Sequence, residues 1–140
     1  MSFRVQLRNL DGTPTALGTA GPFSVVVDRP VEGGGGGHGW NGGQLMHLAV
    51  AGCVSNDLFR EARTRGIQLS RVIVTCDGGF EGSPAVSNGI SYEVEVEGAA
   101  TEAELEDLVR YVDEIAEIPN SLRRGTKVTL ARHRVLVSSS

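Results

Sequence analysis

The sequence predicts an α+β domain in which two helices are separated by antiparallel strand pairs. Residues 41–66 have the composition of a long helix whose N-terminal half is buried on most sides and whose C-terminal half is amphipathic. Residues 90–97 alternate apolar and polar side chains with the period of two that is typical of a strand. A second helical pattern covers residues 101–117. This order favours α+β over a doubly wound parallel sheet.

Length and charge limit the possible functions. The 140 residues suffice for one domain with its own core, and we treat 1–140 as that domain. A net charge of −4 without a basic stripe argues against a nucleic-acid partner. The longest apolar run is too short for a membrane span, and residues 1–20 lack the pattern of a signal peptide. With two cysteines and no export signal, we expect reduced thiols in a cytoplasmic protein without a membrane partner.

The first 28 residues predict a β-meander of two or three strands. Residues 3–8 alternate apolar and charged side chains, and Asp11-Gly12 is a hairpin turn signal. Residues 13–18 could return as a short second strand. Residues 23–28 are rich in β-branched side chains, which favour a strand.

A glycine-rich stretch follows at residues 33–43. Its five consecutive glycines invite comparison with a phosphate-binding loop, but the Gly-Lys-Ser/Thr ending and the Gly-x-Gly-x-x-Gly pattern are both absent. We therefore predict a flexible loop that leads into the next helix. Trp40 in this loop is expected to cover apolar surface as a lid, or to serve as a platform for a ligand.

The helix over residues 41–66 carries Cys53 near its centre. Asn41 is the predicted N-cap, and Gly66 stands where a C-terminal glycine belongs. From His47 to Cys53 the side chains are small or apolar almost all round, which predicts a buried half. Cys53 lies about three turns into the helix, too far for the helix dipole to lower its pKa much.

The second half of the chain predicts a hairpin, a helix and a last strand. Residues 69–80 form a long strand and residues 90–97 its partner, with the apolar side chains of 90–97 facing inward. A capping box at residues 101–104 starts the second helix. Pro119 is predicted to end it, with one further short turn possible before a strand over residues 127–137.

The stretch Asn41-Gly-Gly-Gln-Leu-Met-His-Leu-Ala-Val-Ala-Gly-Cys53, followed by Arg65-Gly-Ile-Gln-Leu69 and a long strand, resembles the OsmC/Ohr family of osmotically inducible and organic hydroperoxide resistance proteins. The likeness covers nearly the whole chain. It implies an OsmC-like fold that forms an intertwined homodimer, with the two central helices packed together and the active sites at the subunit interface. It also implies a thiol-dependent role in oxidative-stress defence.

In the family's peroxidases, a cysteine on the central helix attacks the peroxide, and a second cysteine just before a proline resolves the sulfenic acid. An arginine and a glutamate hold the thiolate and the peroxide. Cys53 matches the attacking cysteine. The position of the resolving cysteine reads Ile118-Pro119 here.

The polar partners also depart from the family pattern. The family's Asn-Pro-Glu-Gln reads Asn41-Gly42-Gly43-Gln44, so Gly43 replaces the glutamate and Gln44 stands beside it. Arg8 is the nearest candidate for the arginine, and Arg4 is a weaker one.

Cys53 alone could still reduce a hydroperoxide to leave a sulfenic acid, which an external thiol reductant would recycle. This requires a positive neighbour that lowers the thiol pKa. Arg8, or Arg123 or Arg124 from a partner subunit, would have to supply it. Without such a neighbour Cys53 would be an ordinary core residue.

Two other residues could assist Cys53. Cys76 shares a face of its strand with apolar side chains, so we interpret it as core rather than as a resolving cysteine. His47, six residues before Cys53, comes most of the way round to the same side of the helix and could act as a base. A lone helical histidine is more often packed or hydrogen-bonded.

The remaining polar residues suggest no cofactor. His38, His47 and Cys53 lack the ligand spacing of a zinc site, so we expect neither a metal nor an organic cofactor. Asn56 and Asp57, one turn after Cys53, could hydrogen-bond a ligand or bond across the dimer.

Two functions remain open at this stage. The first is a one-cysteine thiol peroxidase for organic hydroperoxides, with Cys53 as the nucleophile. The alternative is a non-catalytic OsmC-like dimer that binds a small apolar ligand in a pocket at the interface. The residues predicted to line that pocket are Trp40, Leu45, His47, Cys53 and Ile118. A dimer whose role is interaction alone is a third reading.

Overall fold

The structure, a computed structural model, describes residues 1–138. Within them the chain forms strands β1 (Gln6–Asn9), β2 (Ala16–Ala20), β3 (Phe23–Val27), β4 (Leu69–Glu81) and β5 (Val86–Gly98), and helices α1 (Gly42–Thr64), α2 (Glu102–Ile115) and α3 (Glu117–Arg123). The strands make two antiparallel sheets, one of order β1-β2-β3 and one of β4 with β5. The α+β prediction is confirmed.

The core lies where α1 and α2 pack together over one face of the β4–β5 hairpin. Its buried members are Val54, Leu58, Ala62, Leu108, Val112 and Ala116. The inward side chains of the hairpin close this cluster from below, among them Val72, Val74, Tyr92 and Val94. The opposite face of the hairpin is polar, and Arg71 there lies 3.6 Å from Glu95 and 3.7 Å from Glu97. The predicted alternation of residues 90–97 is therefore confirmed.

Both ends of α1 follow the prediction. The Asn41 side chain accepts a hydrogen bond from the Gln44 backbone N–H at 2.9 Å, and the Gln44 side chain accepts one from the Asn41 N–H at 3.0 Å. This capping box satisfies N–H groups that a helix start otherwise leaves without a partner. Gly66 has a φ of +69°, the left-handed conformation that glycine adopts at helix ends.

The end of α2 differs from the prediction. The helix stops at Ile115, and Ala116 is extended. Pro119 does not end α2 but lies buried in the first turn of α3. Proline fits there because the first N–H groups of a helix have no partner within it. The short turn expected after Pro119 is thus a helix that begins before it.

The predicted strand over residues 127–137 is not formed. Residues 126–138 have no regular secondary structure, and Val128 and Val137 are 91% and 95% exposed. A strand forms only where a neighbouring strand accepts its backbone hydrogen bonds, and within the described residues neither sheet places a strand beside this segment.

The N-terminal sheet is equally uncovered. Every residue of β1 is exposed, and so are the large apolar side chains Leu7, Leu17, Phe23, Val25 and Val26. No helix of residues 1–138 is long and apolar enough to cross a membrane.

Candidate functional site

The glycine-rich loop is folded around the carboxylate of Asp28, which is 4% exposed. Asp28 Oδ1 accepts hydrogen bonds from the backbone N–H of Arg29 at 2.7 Å and of Gly36 at 3.0 Å. Oδ2 accepts from the Thr15 hydroxyl at 2.7 Å and the His38 N–H at 3.2 Å. These donors, Thr15 foremost, hold the pKa of Asp28 far below its usual range despite burial. Within the loop predicted to be flexible, the backbone N–H groups of Gly36 and His38 are thus hydrogen-bonded to Asp28.

This loop places Trp40 beside the start of α1. The backbone N–H of Trp40 donates to the Val26 carbonyl at 3.1 Å, and the backbone carbonyl of Trp40 accepts from the Asp28 N–H at 2.9 Å. The indole is 44% exposed. Trp40 thus stands at the rim of a cavity, a position that fits a lid and a ligand platform equally.

That cavity, here called the α1–β4 cavity, has a volume of about 480 Å³ and lies between the N-terminal half of α1 and the second half of β4. Its lining includes Trp40, Gln44, His47, Leu48, Ala51, Cys76, Gly78 and Phe80. The cavity is lined by Trp40, Gln44 and His47, which the sequence analysis named as candidate site residues. It is also lined by Cys76, which the sequence analysis interpreted as core. Cys53 does not line it.

The other predicted pocket residues lie elsewhere. Leu45 faces the N-terminal sheet, in a groove of about 480 Å³ that it shares with Leu7, Phe23 and Val25. Ile118 is on α3 and is 38% exposed. In the described chain, the predicted pocket is therefore divided among separate surfaces.

His47 is held toward β4. Its Nδ1 lies 2.6 Å from the Gly43 carbonyl oxygen, which can only accept, so Nδ1 donates this hydrogen bond. Nε2 is buried, and no hydrogen-bond partner for it exists among the described residues. A Cβ at Gly78 would come within 2.5 Å of this nitrogen. His47 therefore lies against Gly78 rather than beside Cys53.

Cys76 faces the same cavity. Burial raises the pKa of its thiol, the Asp77 carboxylate raises it further, and a hydrogen bond with the Ala51 backbone opposes both. A thiol with a raised pKa is a poor nucleophile at neutral pH. Ala51 and Cys53 project from α1 about 200° apart at 3.6 residues per turn, so the two thiols lie on different flanks of the helix.

Cys53 is a half-buried free thiol that packs against the core cluster. It lies on the α1 flank that carries Val50 and Asp57, one turn to either side. This flank faces α3, because Val50 shares a cavity with Pro119 and the carboxylates of Asp57 and Glu117 interact. The arrangement brings Cys53 toward the segment that contains Ile118.

Asp57 is 6% exposed, which makes it a buried acid one turn from the thiol. Its Oδ1 pairs with Arg60 Nη1 at 3.1 Å, whereas its Oδ2 is buried and has no hydrogen-bond partner among residues 1–138. Burial raises the pKa of Asp57, Arg60 lowers it, and Glu117 and Glu61 raise it again, with a net rise. The sequence identified Asp57 as a polar neighbour but gave no sign of its burial.

The candidate positive and polar partners of Cys53 are engaged elsewhere. Arg8 is exposed and lies 3.6 Å from Asp11 in the N-terminal sheet. Arg123 donates to Asp113 Oδ1 at 2.6 Å, an oxygen that also accepts the Tyr92 hydroxyl. Gln44 caps α1. The structure therefore places none of these three side chains at Cys53 within one chain.

A family model described as "OsmC-like protein" matches residues 34–131. A search of curated proteins gives no match. An OsmC-like protein from Mycoplasma pneumoniae has a similar structure, with a TM-score of 0.76 and 14% identity over 90% of this chain and 89% of that one.

Two further solved structures are similar. An organic hydroperoxide resistance protein OsmC from Legionella pneumophila has a TM-score of 0.59 and 22% identity over 88% of this chain and 90% of that one. The organic hydroperoxide resistance protein OhrB of Bacillus subtilis has a TM-score of 0.60 and 19% identity over 89% of this chain and 93% of that one. These likenesses show that the fold is OsmC-like.

Proposed function

Because the chain belongs to the OsmC-like protein family, we propose that it is a one-cysteine thiol peroxidase that reduces organic hydroperoxides through Cys53. The observation that carries the proposal is the position of Cys53. It is a half-buried free thiol on the α1 flank that faces α3. Two structural relatives are named as organic hydroperoxide resistance proteins, which supports this substrate class.

The reaction requires only one protein thiol. The Cys53 sulfur attacks the terminal oxygen of the hydroperoxide, the O–O bond breaks, and the products are an alcohol and a sulfenic acid at Cys53. One external thiol then forms a mixed disulfide with release of water, and a second one restores the Cys53 thiol. Cys76, on the other flank of α1 with a raised pKa, is not part of this cycle.

The first experiment is the oxidation of the protein by stoichiometric cumene hydroperoxide, followed by intact mass and free-thiol count. We expect wild type and Cys76→Ser to gain one oxygen at Cys53, and Cys53→Ser to keep its remaining thiol. Survival of both thiols, while a control peroxidase is oxidised, would overturn the peroxidase function. A Cys53–Cys76 disulfide would overturn the one-cysteine cycle and identify a resolving thiol.

A second candidate, binding of a small apolar ligand without catalysis, is favoured by the groove at Leu45. Its lining is almost entirely apolar and includes Leu7, Phe23 and Val25. A ligand that binds only the folded state raises the thermal unfolding temperature, and the rise grows with the logarithm of the ligand concentration above its dissociation constant. A panel of apolar ligands that leaves this temperature and the Trp40 fluorescence unchanged would count against this candidate.

We further propose that the protein is a homodimer. The apolar side chains of the N-terminal sheet and of residues 127–137 are exposed in the single chain, an arrangement that is unusual for a monomer in water. Among the described residues, the outer edges of β1, β4 and β5 also have no strand paired with them. A second copy could cover the sheet and supply the strand partner that residues 127–137 lack.

Gly52 offers a direct test of how the helices meet in such a dimer. A Cβ at Gly52 meets nothing within 4 Å in the single chain, so Gly52→Ala should stabilise an isolated helix by about 0.5–1 kcal/mol. If α1 of a second subunit packs here, the added methyl group should instead weaken dimerisation about tenfold, or about 1.4 kcal/mol. Sedimentation equilibrium measures this dissociation constant.

Thr64→Ala is the matched control, because it also raises helix propensity but lies at the exposed end of α1. We expect it to leave the dissociation constant unchanged. A wild-type mass of one chain would refute the dimer, and a Gly52→Ala protein that dimerises as tightly as wild type would refute the helix contact.

A further inference from the structure

A second cavity, here called the α1–β5–α3 cavity, has no part in the proposed reaction. It has a volume of about 380 Å³, which is within the range of small-molecule sites. It lies between the first half of α1, the first half of β5 and helix α3. Its apolar wall is formed by Met46, Val50, Ile90, Pro119 and Leu122.

The charge that lines this cavity is positive. Arg123 and Tyr92 are its titratable lining residues within the described chain. Burial and a hydrogen bond to Asp113 raise the pKa of Tyr92, so the phenol is neutral at neutral pH. Arg123 is permanently protonated. The cavity therefore combines an apolar wall with one cationic group.

The guanidinium of Arg123 is held in a fixed orientation. Its Nη2 donates to Asp113 Oδ1 at 2.6 Å, and its Nη1 donates to the Asp113 backbone carbonyl at 3.0 Å and to Asn120 Oδ1 at 2.9 Å. The hydrogen bonds from Tyr92 and Arg123 lower the pKa of Asp113, so this carboxylate is ionised at neutral pH. A group that is oriented before the ligand arrives loses less entropy on binding.

Two donors of this guanidinium remain available. An arginine side chain has five N–H groups, and the hydrogen bonds to Asp113 and Asn120 use three of them. The Nε–H and one Nη2–H of Arg123 have no partner among residues 1–138. Because Nη1 and Nη2 bind Asp113 across the end of the guanidinium, the two free groups lie along its Nε edge. Two parallel N–H groups of this kind match the two oxygens of a carboxylate.

We propose that the α1–β5–α3 cavity binds an aliphatic carboxylate. The two carboxylate oxygens accept hydrogen bonds from the Nε edge of Arg123, and the aliphatic chain lies against the apolar wall. Since Asp113 already offsets the charge of Arg123, recognition depends on this hydrogen-bonding edge together with the wall. The inference goes beyond the proposed peroxidase function, because binding requires neither a peroxide bond nor a thiol.

The test is calorimetric titration of the wild-type protein with octanoate, octanol and acetate. We expect octanoate to bind about tenfold tighter than octanol, since hydrogen bonds to a charged group are lost with the carboxylate. Octanoate should also bind tighter than acetate, by about fourfold for each methylene group that the wall buries. Equal affinities for octanoate and octanol, or for octanoate and acetate, would overturn the proposal whether or not any variant folds.

Two neighbouring arginines provide a matched pair of variants. Arg123→Gln should weaken octanoate binding about tenfold and leave octanol binding unchanged. Arg124→Gln is the control, because Arg124 is the next residue and is exposed but does not line the cavity. It should bind both ligands like wild type. Equal losses in the two variants would indicate a general attraction to the basic end of α3 and would overturn the site.

A variant of the apolar wall locates the aliphatic chain. Leu122 is 38% exposed, so Leu122→Ser should fold, and we expect it to bind octanoate about fivefold more weakly. Leu130→Ser, in the exposed segment outside the cavity, is the control and should bind like wild type. Wild-type affinity in a folded Leu122→Ser would overturn the placement of the chain. Octanoate contains no peroxide bond, so each of these results leaves the peroxidase proposal to its own test.

Discussion

Shortening Leu108 to alanine is expected to lower the free energy of unfolding by about 3 kcal/mol, in the middle of the range for buried leucines. Leu108 is fully buried in α2 and belongs to the cluster that contains Leu58 of α1. The truncation removes apolar contacts and leaves a cavity between the two helices. Since domains of this size are stable by only about 5–15 kcal/mol, the loss is a large fraction of the total.

Denaturant unfolding at one fixed protein concentration measures this change, because the concentration would matter for a dimer. Leu105→Ala is the control, because Leu105 is on the same helix but only half-buried. We expect Leu105→Ala to lower the free energy of unfolding clearly less than Leu108→Ala does. Equal losses for the two variants would contradict the placement of the core between α1 and α2.

Replacing Gly78 by alanine is expected to cost about 2 kcal/mol of stability through overpacking. The added Cβ would lie 2.5 Å from both the Gly89 carbonyl oxygen and His47 Nε2. The first atom is backbone of the paired strand and cannot move aside. Thermal unfolding and a shift in the Trp40 emission would report the displaced cavity wall.

The neighbouring glycine provides the control. A Cβ at Gly79 would meet Asn88 at 3.6 Å, an ordinary contact, so Gly79→Ala should be nearly neutral. The double variant His47→Ala with Gly78→Ala should recover part of the loss but not all, since the Gly89 contact remains. No recovery in the double variant, or equal effects of the two glycine substitutions, would show that His47 does not lie against Gly78 as described.

Sequence reasoning succeeded where the determinants are local. The caps of α1 at Asn41 and Gly66 and the start of α2 at Thr101 depend on residues within one turn, and all three are confirmed. The inward face of β5 follows from strict alternation. Pro119 was misjudged because proline is tolerated in the first turn of a helix as well as after its end.

The site depends on contacts between distant segments, which periodicity does not reveal. The Asp28 carboxylate collects donors from Thr15, Gly36 and His38, and only the folded loop brings these together. His47 and Cys76 meet across α1 and β4 for the same reason. Residues 127–137 have the pattern of a strand, but a pattern carries no information about whether a neighbouring strand is present to pair with it.

The contact between Gly43 and Phe80 links the effects of substitutions at these two positions. A Cβ at position 43 would lie 3.1 Å from the Phe80 ring, closer than side chains normally approach. A glutamate introduced there alone would require the exposed Phe80 ring to shift by a few tenths of an ångström, whereas a smaller residue at position 80 would remove this contact. We therefore expect the effects of substitutions at the two positions on stability to be non-additive.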